Sequence, residues 1–187
     1  MSVIIGITGA SGALYAVRLI EELSEQCDVT IVASETAKQI ITDETELDYE
    51  DLEDMVSEAF RNDDMNAAIC SGSRKFDAMV IVPCSMTTLA RISCGLADNV
   101  IARAASVALK ERRKLIIVPR ETPLSSIHLE NMLRLSRDGA IILPAMPGFY
   151  GRPETAADLV DFIVGRIMDQ LGIENKNGPR WGLDDIR

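Results

Sequence analysis

Strand-like and helix-like apolar patterns alternate along the chain. Ser2 to Thr8 is a short β-branched run that passes into the glycine-rich Gly9–Gly12. Beyond it, Leu14, Val17, Leu19, Ile20 and Leu23 gather on one side of a helical repeat. The unit reads as strand, turn, helix. A second run, Val29 to Ala33, ends at Ser34, whose hydroxyl suits the N-cap of a short helix through Ile41. This β-α-β order implies a parallel sheet. Residues 43–64 are rich in Asp and Glu, and Leu52, Met55, Val56 and Phe60 predict one solvated surface helix there. Strands recur at Ala78–Val82, Leu115–Val118 and Ala140–Leu143, with helices predicted over 86–94, 99–111, 123–137 and 154–171. The alternation predicts an α/β fold, a doubly wound, mainly parallel Rossmann sheet. It fills one domain, residues 1–172. The tail 173–187, rich in Gly, Asn and Pro until Trp181, is expected to be ordered by a neighbouring subunit.

Composition narrows the classes. At 187 residues, 47% hydrophobic and 26% charged, the chain has room for one soluble domain and no second one. No uninterrupted apolar stretch approaches about 18 residues, and MSVIIGITG reads as a strand rather than a leader, so a cytoplasmic protein with no membrane role is expected. A formal charge of −10 argues against a broad nucleic-acid surface. Cys27, Cys70, Cys84 and Cys94 form no CxxC pair and accompany a single histidine, His128, so reduced, mostly buried thiols and no metal site are expected.

In doubly wound sheets ligands bind beyond the carboxyl ends of the strands, which directs attention to the residues just after each one. Gly6, Gly9 and Gly12 permit a tight turn that offers amides at a helix N-terminus, where an anion is favoured. A dinucleotide-binding fold usually ends its second strand in Asp or Glu for a ribose hydroxyl. Here Ser34 stands at that point, which favours a mononucleotide over NAD. Ser85-Met86-Thr87-Thr88 presents hydroxyls and amides to a phosphate or ring, and Ser85 equally suits an N-cap. Arg120 and Glu121 follow the strand KLIIVP, with Thr122 expected to cap a helix that starts at Pro123. Arg103 and Lys110 share one face of a predicted helix, and Arg166 lies near the inward stripe of Leu159, Phe162, Ile163 and Ile167, where an unpaired charge is costly. The stiff loop from Pro144 to Tyr150 aims the tyrosine at a ligand, whereas His128 is expected to be structural.

Together, TGASGA, PCSMTTLA, ARAASVALKERRKLIIVPRETPLSSIHLENMLRLS and LPAMPGFYGRP resemble the UbiX-type flavin prenyltransferases over nearly the whole chain. The resemblance implies a flavodoxin-like fold assembled as a homododecamer, with reduced FMN bound between subunits. It implies dimethylallyl phosphate as prenyl donor, bonds formed to flavin N5 and C6, no metal, a flavin reductase upstream and a UbiD-type decarboxylase as recipient of the product. Carried over by motif, FMN is expected against Gly9, Ala10, Ser11, Ser34, Ser85, Met86, Thr87, Thr88 and Arg120. Tyr150 and Arg166, with Lys110 and Arg103, are expected to hold the donor phosphate. Glu121, Lys110, Glu44 and Ser11 match catalytic positions, Glu121 for proton transfer during ring closure. Some members carry a tryptophan before Ser71-Gly72-Ser73, where this chain has Asn62-Asp63-Asp64. The rival reading is an FMN-dependent cysteine decarboxylase-like flavoprotein, but its Pro-x-Met-Asn loop is here Pro144-Ala145-Met146-Pro147.

Overall fold

The computed structural model describes residues 1–175 and Gly178. Its strands are β1 (Ser2–Ile7), β2 (Asp28–Ala33), β3 (Glu58–Arg61), β4 (Ala78–Cys84), β5 (Lys114–Pro119) and β6 (Ile141–Ile142). They form one sheet in the order β3-β2-β1-β4-β5-β6, and every neighbouring pair is parallel. The helices are α1 (Ala13–Ser24), α2 (Glu35–Glu44), α3 (Tyr49–Asp54), α4 (Met86–Ser93), α5 (Val100–Lys110), α6 (Ser126–Arg137) and α7 (Ala156–Leu171). No helix among the described residues is long and apolar enough to cross a membrane.

A parallel sheet is covered on both faces, so its strands read as continuous apolar runs. The two-residue side-chain period sorts those runs into two cores. Val3, Ile5 and Ile7 of β1 and Val80 and Val82 of β4 pack in the layer of α1, α2, α3 and α7, whereas Ile4, Met79 and Ile81 pack in the layer of α4, α5 and α6. Gly6 belongs to this packing rather than to the turn, because a Cβ there would lie 3.2 Å from Ile101 Cγ2 of α5.

Two expectations need correction. The segment 43–64 is not one helix. α2 runs on to Glu44, a capping box between Asp48 and Asp51 starts α3, and Glu58–Arg61 adds β3 to the edge beside β2. Tyr49 and Leu52 join one core and Phe60 packs against the other, a division that no single helix face could satisfy. The helix expected from Pro123 starts at Ser126. Ser125 accepts from the His128 amide and donates its own amide to His128 Nδ1, both at 3.3 Å, so Ser125 rather than Thr122 is the cap and His128 is structural. α7 ends at Leu171 against Gly172, which takes φ 78°. The expectation for the tail falls largely outside the described residues.

From β1 the chain builds outward to β2 and β3, then returns to set β4 on the other side of β1. The carboxyl ends of β1 and β4 therefore flank the topological switch point, where open α/β sheets bind ligands.

Candidate functional site

Gly12, at φ 112°, is the N-cap of α1 in a left-handed conformation that favours glycine. The Gly12 and Ala13 amides both donate to Glu44 Oε2 at 2.8 Å. The anion seat that the sequence offers to a ligand is thus taken by the chain's own carboxylate, because α2 ends beside the positive end of α1. Partial burial would raise the Glu44 pKa, but hydrogen bonds from the Ser11 hydroxyl and the two amides, with the Arg120 charge, hold it below its ordinary value. Arg120 Nε donates to the Ser11 carbonyl at 3.0 Å, so Ser11, Glu44 and Arg120 converge on one turn. At Gly9 a Cβ would lie 2.8 Å from Thr36 Cγ2, which keeps this turn tight against the start of α2.

Two hydroxyl-capped helices open onto the same edge. Ser34 Oγ accepts from the Ala37 amide at 3.2 Å and Ser85 Oγ from the Thr88 amide at 3.3 Å, while the Ser85 hydroxyl donates to Thr88 Oγ1 at 3.1 Å. The first amides of such helices have no intrahelical partner and suit a phosphate. Met86 is only 9% exposed, so its side chain belongs to the core and its backbone is what can meet a ligand.

Beyond β5, Glu121 accepts the Thr122 amide through Oε1 at 2.9 Å. Tyr150 meets Phe162 of α7 edge to face, with ring centroids 5.7 Å apart. Gly148 makes room for that pair, since a Cβ there would lie 3.0 Å from Phe162 and 3.1 Å from Tyr150. Arg166 departs from expectation. It is exposed rather than inward, and it pairs with Asp169 at 2.9 Å, because Val160, Ile163, Val164 and Ile167 form the buried stripe of α7. It borders a groove of about 300 Å³ with Leu143, Pro144, Met146 and Phe162, which brings it to the patch that Tyr150 approaches.

Arg103 and Lys110 are not gathered with these residues in one chain. Arg103 Nε donates to the Cys70 carbonyl at 3.1 Å. Lys110 ends α5 just before β5 begins, at the amino end of the sheet and away from the crevice at its carboxyl end, ion-paired with Glu111 and lining a groove of about 420 Å³ with Cys94, Arg112 and Arg134. Sharing one helix face did not bring the two together, since seven residues of helix separate them by about 10 Å along its axis.

Sequence reasoning overlooked Thr8, whose hydroxyl bridges the ends of β1 and β4. It also missed the role of Asn62, whose backbone oxygen accepts the Val100 amide at 2.9 Å and whose Oδ1 accepts the Ile101 amide at 3.1 Å, fixing the start of α5. A polar residue closing an apolar strand was the signal for Thr8; nothing local marked Asn62.

The tight turn, the paired hydroxyl-capped helix starts, Arg120 and a β2 end without an acidic residue fit a flavin mononucleotide. Fold and crevice together define a mononucleotide-binding α/β protein. A family model described as Flavoprotein matches residues 1–168. The flavin prenyltransferase UbiX of Methanocaldococcus jannaschii is 50% identical over 97% of this chain and 99% of its own. Among solved structures, AnUbiX in complex with FMN and dimethylallyl pyrophosphate superposes with a TM-score of 0.96 at 38% identity, covering 98% of each chain. A dodecameric FMN-dependent UbiX-like decarboxylase from Escherichia coli O157:H7 superposes with a TM-score of 0.95 at 46% identity, over 97% of this chain and 99% of that one. The chain belongs to the UbiX family of flavin prenyltransferases. The cysteine decarboxylase TvaF, 16% identical with a TM-score of 0.63 over 76% of this chain and 88% of its own, shares the fold alone.

Proposed function

We propose that this protein transfers the dimethylallyl group of dimethylallyl phosphate to reduced FMN, forming bonds at flavin N5 and C6. The observation that carries the reading is the near-complete superposition on a relative described with both FMN and a dimethylallyl donor, in a chain whose own switch-point crevice suits a mononucleotide. Bound reduced FMN supplies the electron-rich acceptor. Gly9, Ala10, Ser11, Ser34, Ser85–Thr88 and Arg120 hold and orient it. Tyr150 and Arg166 bind the donor phosphate and stabilise the negative charge that grows on it as the carbon–oxygen bond breaks. Glu121, anchored through Oε1 on the Thr122 amide, takes the proton released on ring closure at Oε2. Glu44 and Ser11 support Arg120 from beneath. Lys110, with Arg103 on the same helix, acts on the donor phosphate from a neighbouring copy, since its own chain carries Lys110 at the amino end of β5, away from the crevice.

The same reading makes the working form a homododecamer supplied by a flavin reductase, with a UbiD-type decarboxylase as recipient, in the cytoplasm. Exposed Leu96 (57%), Ile127 (67%), Leu133 (51%), Met146 (64%) and Phe149 (70%) support extensive subunit contacts. The decisive experiment is anaerobic incubation of the purified protein with reduced FMN and dimethylallyl phosphate, followed by mass spectrometry of the released flavin. The expected product is heavier by one five-carbon prenyl unit. Unmodified FMN from folded, flavin-loaded protein, with the phosphate and the diphosphate donors alike, overturns the reading.

A further inference from the structure

The β1–β4 ladder pairs Val3 through Gly6 with Ala78 through Ile81 and goes no further. Beyond it stands Pro83, which has no amide to donate. On the far side of β4 the register with β5 shifts between Ile81 and Cys84. Regular pairing therefore stops short of the switch point, where β1 and β4 must hold their loops at a fixed spacing to form a crevice.

Thr8 occupies this gap and is 2% exposed. Its hydroxyl donates to the Pro83 carbonyl at 2.8 Å and accepts the Ser85 amide at 2.7 Å. Its amide donates to the same Pro83 carbonyl at 3.2 Å, and its carbonyl accepts the Ala10 amide at 2.8 Å. One residue thus ties the turn after β1 to the turn that launches α4. The Arg120 amide, donating to the Cys84 carbonyl at 3.3 Å, clamps the second turn from its other side.

We infer that Thr8 is a positioning residue for the flavin crevice: beyond the last paired residues its hydroxyl reinforces the one main-chain bond to Pro83, adds the link to the Ser85 amide, and so sets the spacing between the Gly9–Ser11 and Ser85–Thr88 walls. The inference rests on the reading of this crevice as the flavin site. Thr8→Val keeps shape but leaves the half-buried Ser85 amide without its acceptor, so the cost appears where the walls meet. Thr8→Ser keeps the hydroxyl.

The test is titration of FMN into apo full-length protein, read by flavin fluorescence, alongside circular dichroism and melting of the same apo samples. Expected are an FMN Kd raised about tenfold or more for Thr8→Val with the fold intact, and a Kd within about threefold of the unaltered protein for Thr8→Ser. Unchanged affinity in Thr8→Val overturns the inference. So does equal loss in both variants, or loss in Thr8→Val that accompanies general unfolding, since the role is then stability alone. Failure of the unaltered protein to bind FMN removes the flavin reading itself, and this inference with it.

Discussion

Glu44 shows how one side chain changes the meaning of a motif. The glycine turn looks like an empty anion seat, yet a carboxylate from α2 fills it and in turn faces Ser11 and the Arg120 charge. Its folded pKa lies below the ordinary 4.5, so the stability it contributes is fully present above that value and is lost as pH falls through the folded pKa. Glu44→Gln is expected to lower the melting temperature of the apo protein by about 2–4 °C near pH 7, from an anion worth about 1 kcal/mol at a helix N-terminus. The gap between the two proteins should close below pH 4.5. A gap that persists unchanged to strongly acid pH, followed by calorimetry, contradicts the electrostatic account. The cysteines follow expectation only in part: all are free, Cys70 and Cys84 are buried, and burial pushes the Cys84 thiol up, but Cys94 is exposed.

At the scale of elements, helix starts are what the crevice is made from. Ser34 and Ser85 each close the first turn of a helix and stand at a strand end, so the proposed flavin contacts would draw on the same few atoms as the caps. Ser85→Ala separates the two uses. Loss of the cap is expected to cost about 1 kcal/mol in apo stability. If the hydroxyl also meets the flavin, FMN affinity measured well below the melting transition falls as well; a lower melting temperature with unchanged affinity would reduce Ser85 to a cap. β3 illustrates the converse. Four residues, Glu58–Arg61, with half-buried Glu58 and Phe60 alternating with exposed Ala59 and Arg61, carry too little apolar signal to mark a strand, and only the unpaired edge of β2 gives them a partner.

At the scale of the molecule, a chain that carries Lys110 before the amino end of β5 and Glu121 beyond its carboxyl end can unite them only through a second copy. Glu121→Gln is expected to retain FMN while forming product slowly, and Lys110→Ala to lose turnover at saturating FMN. Oligomers reassembled from a mixture of the two variants should recover part of the activity, because some sites then receive an intact Lys110 from one copy and an intact Glu121 from another. Activity in the mixture no greater than the average of the separate variants contradicts a shared site.

The sequence by itself determined the architecture. Continuous apolar runs of β-branched residues separated by helical repeats admit one parallel sheet with helices on both faces, and hydroxyls or glycines at the strand ends point to the end where a ligand is expected. These signals are local, set by the side-chain period and by turn chemistry within a few residues. The resemblance of whole motifs carried the reading on to the family. What only the tertiary structure decided is non-local. That Glu44 occupies the α1 amides, that Gly6 yields to Ile101, that Arg166 faces water beside Asp169 and that Lys110 stands apart from Tyr150 all depend on how distant segments pack. Periodicity states which side of an element a residue occupies, but the neighbour it meets there is chosen by the sheet order, and that order is fixed by burying both faces of the whole sheet at once.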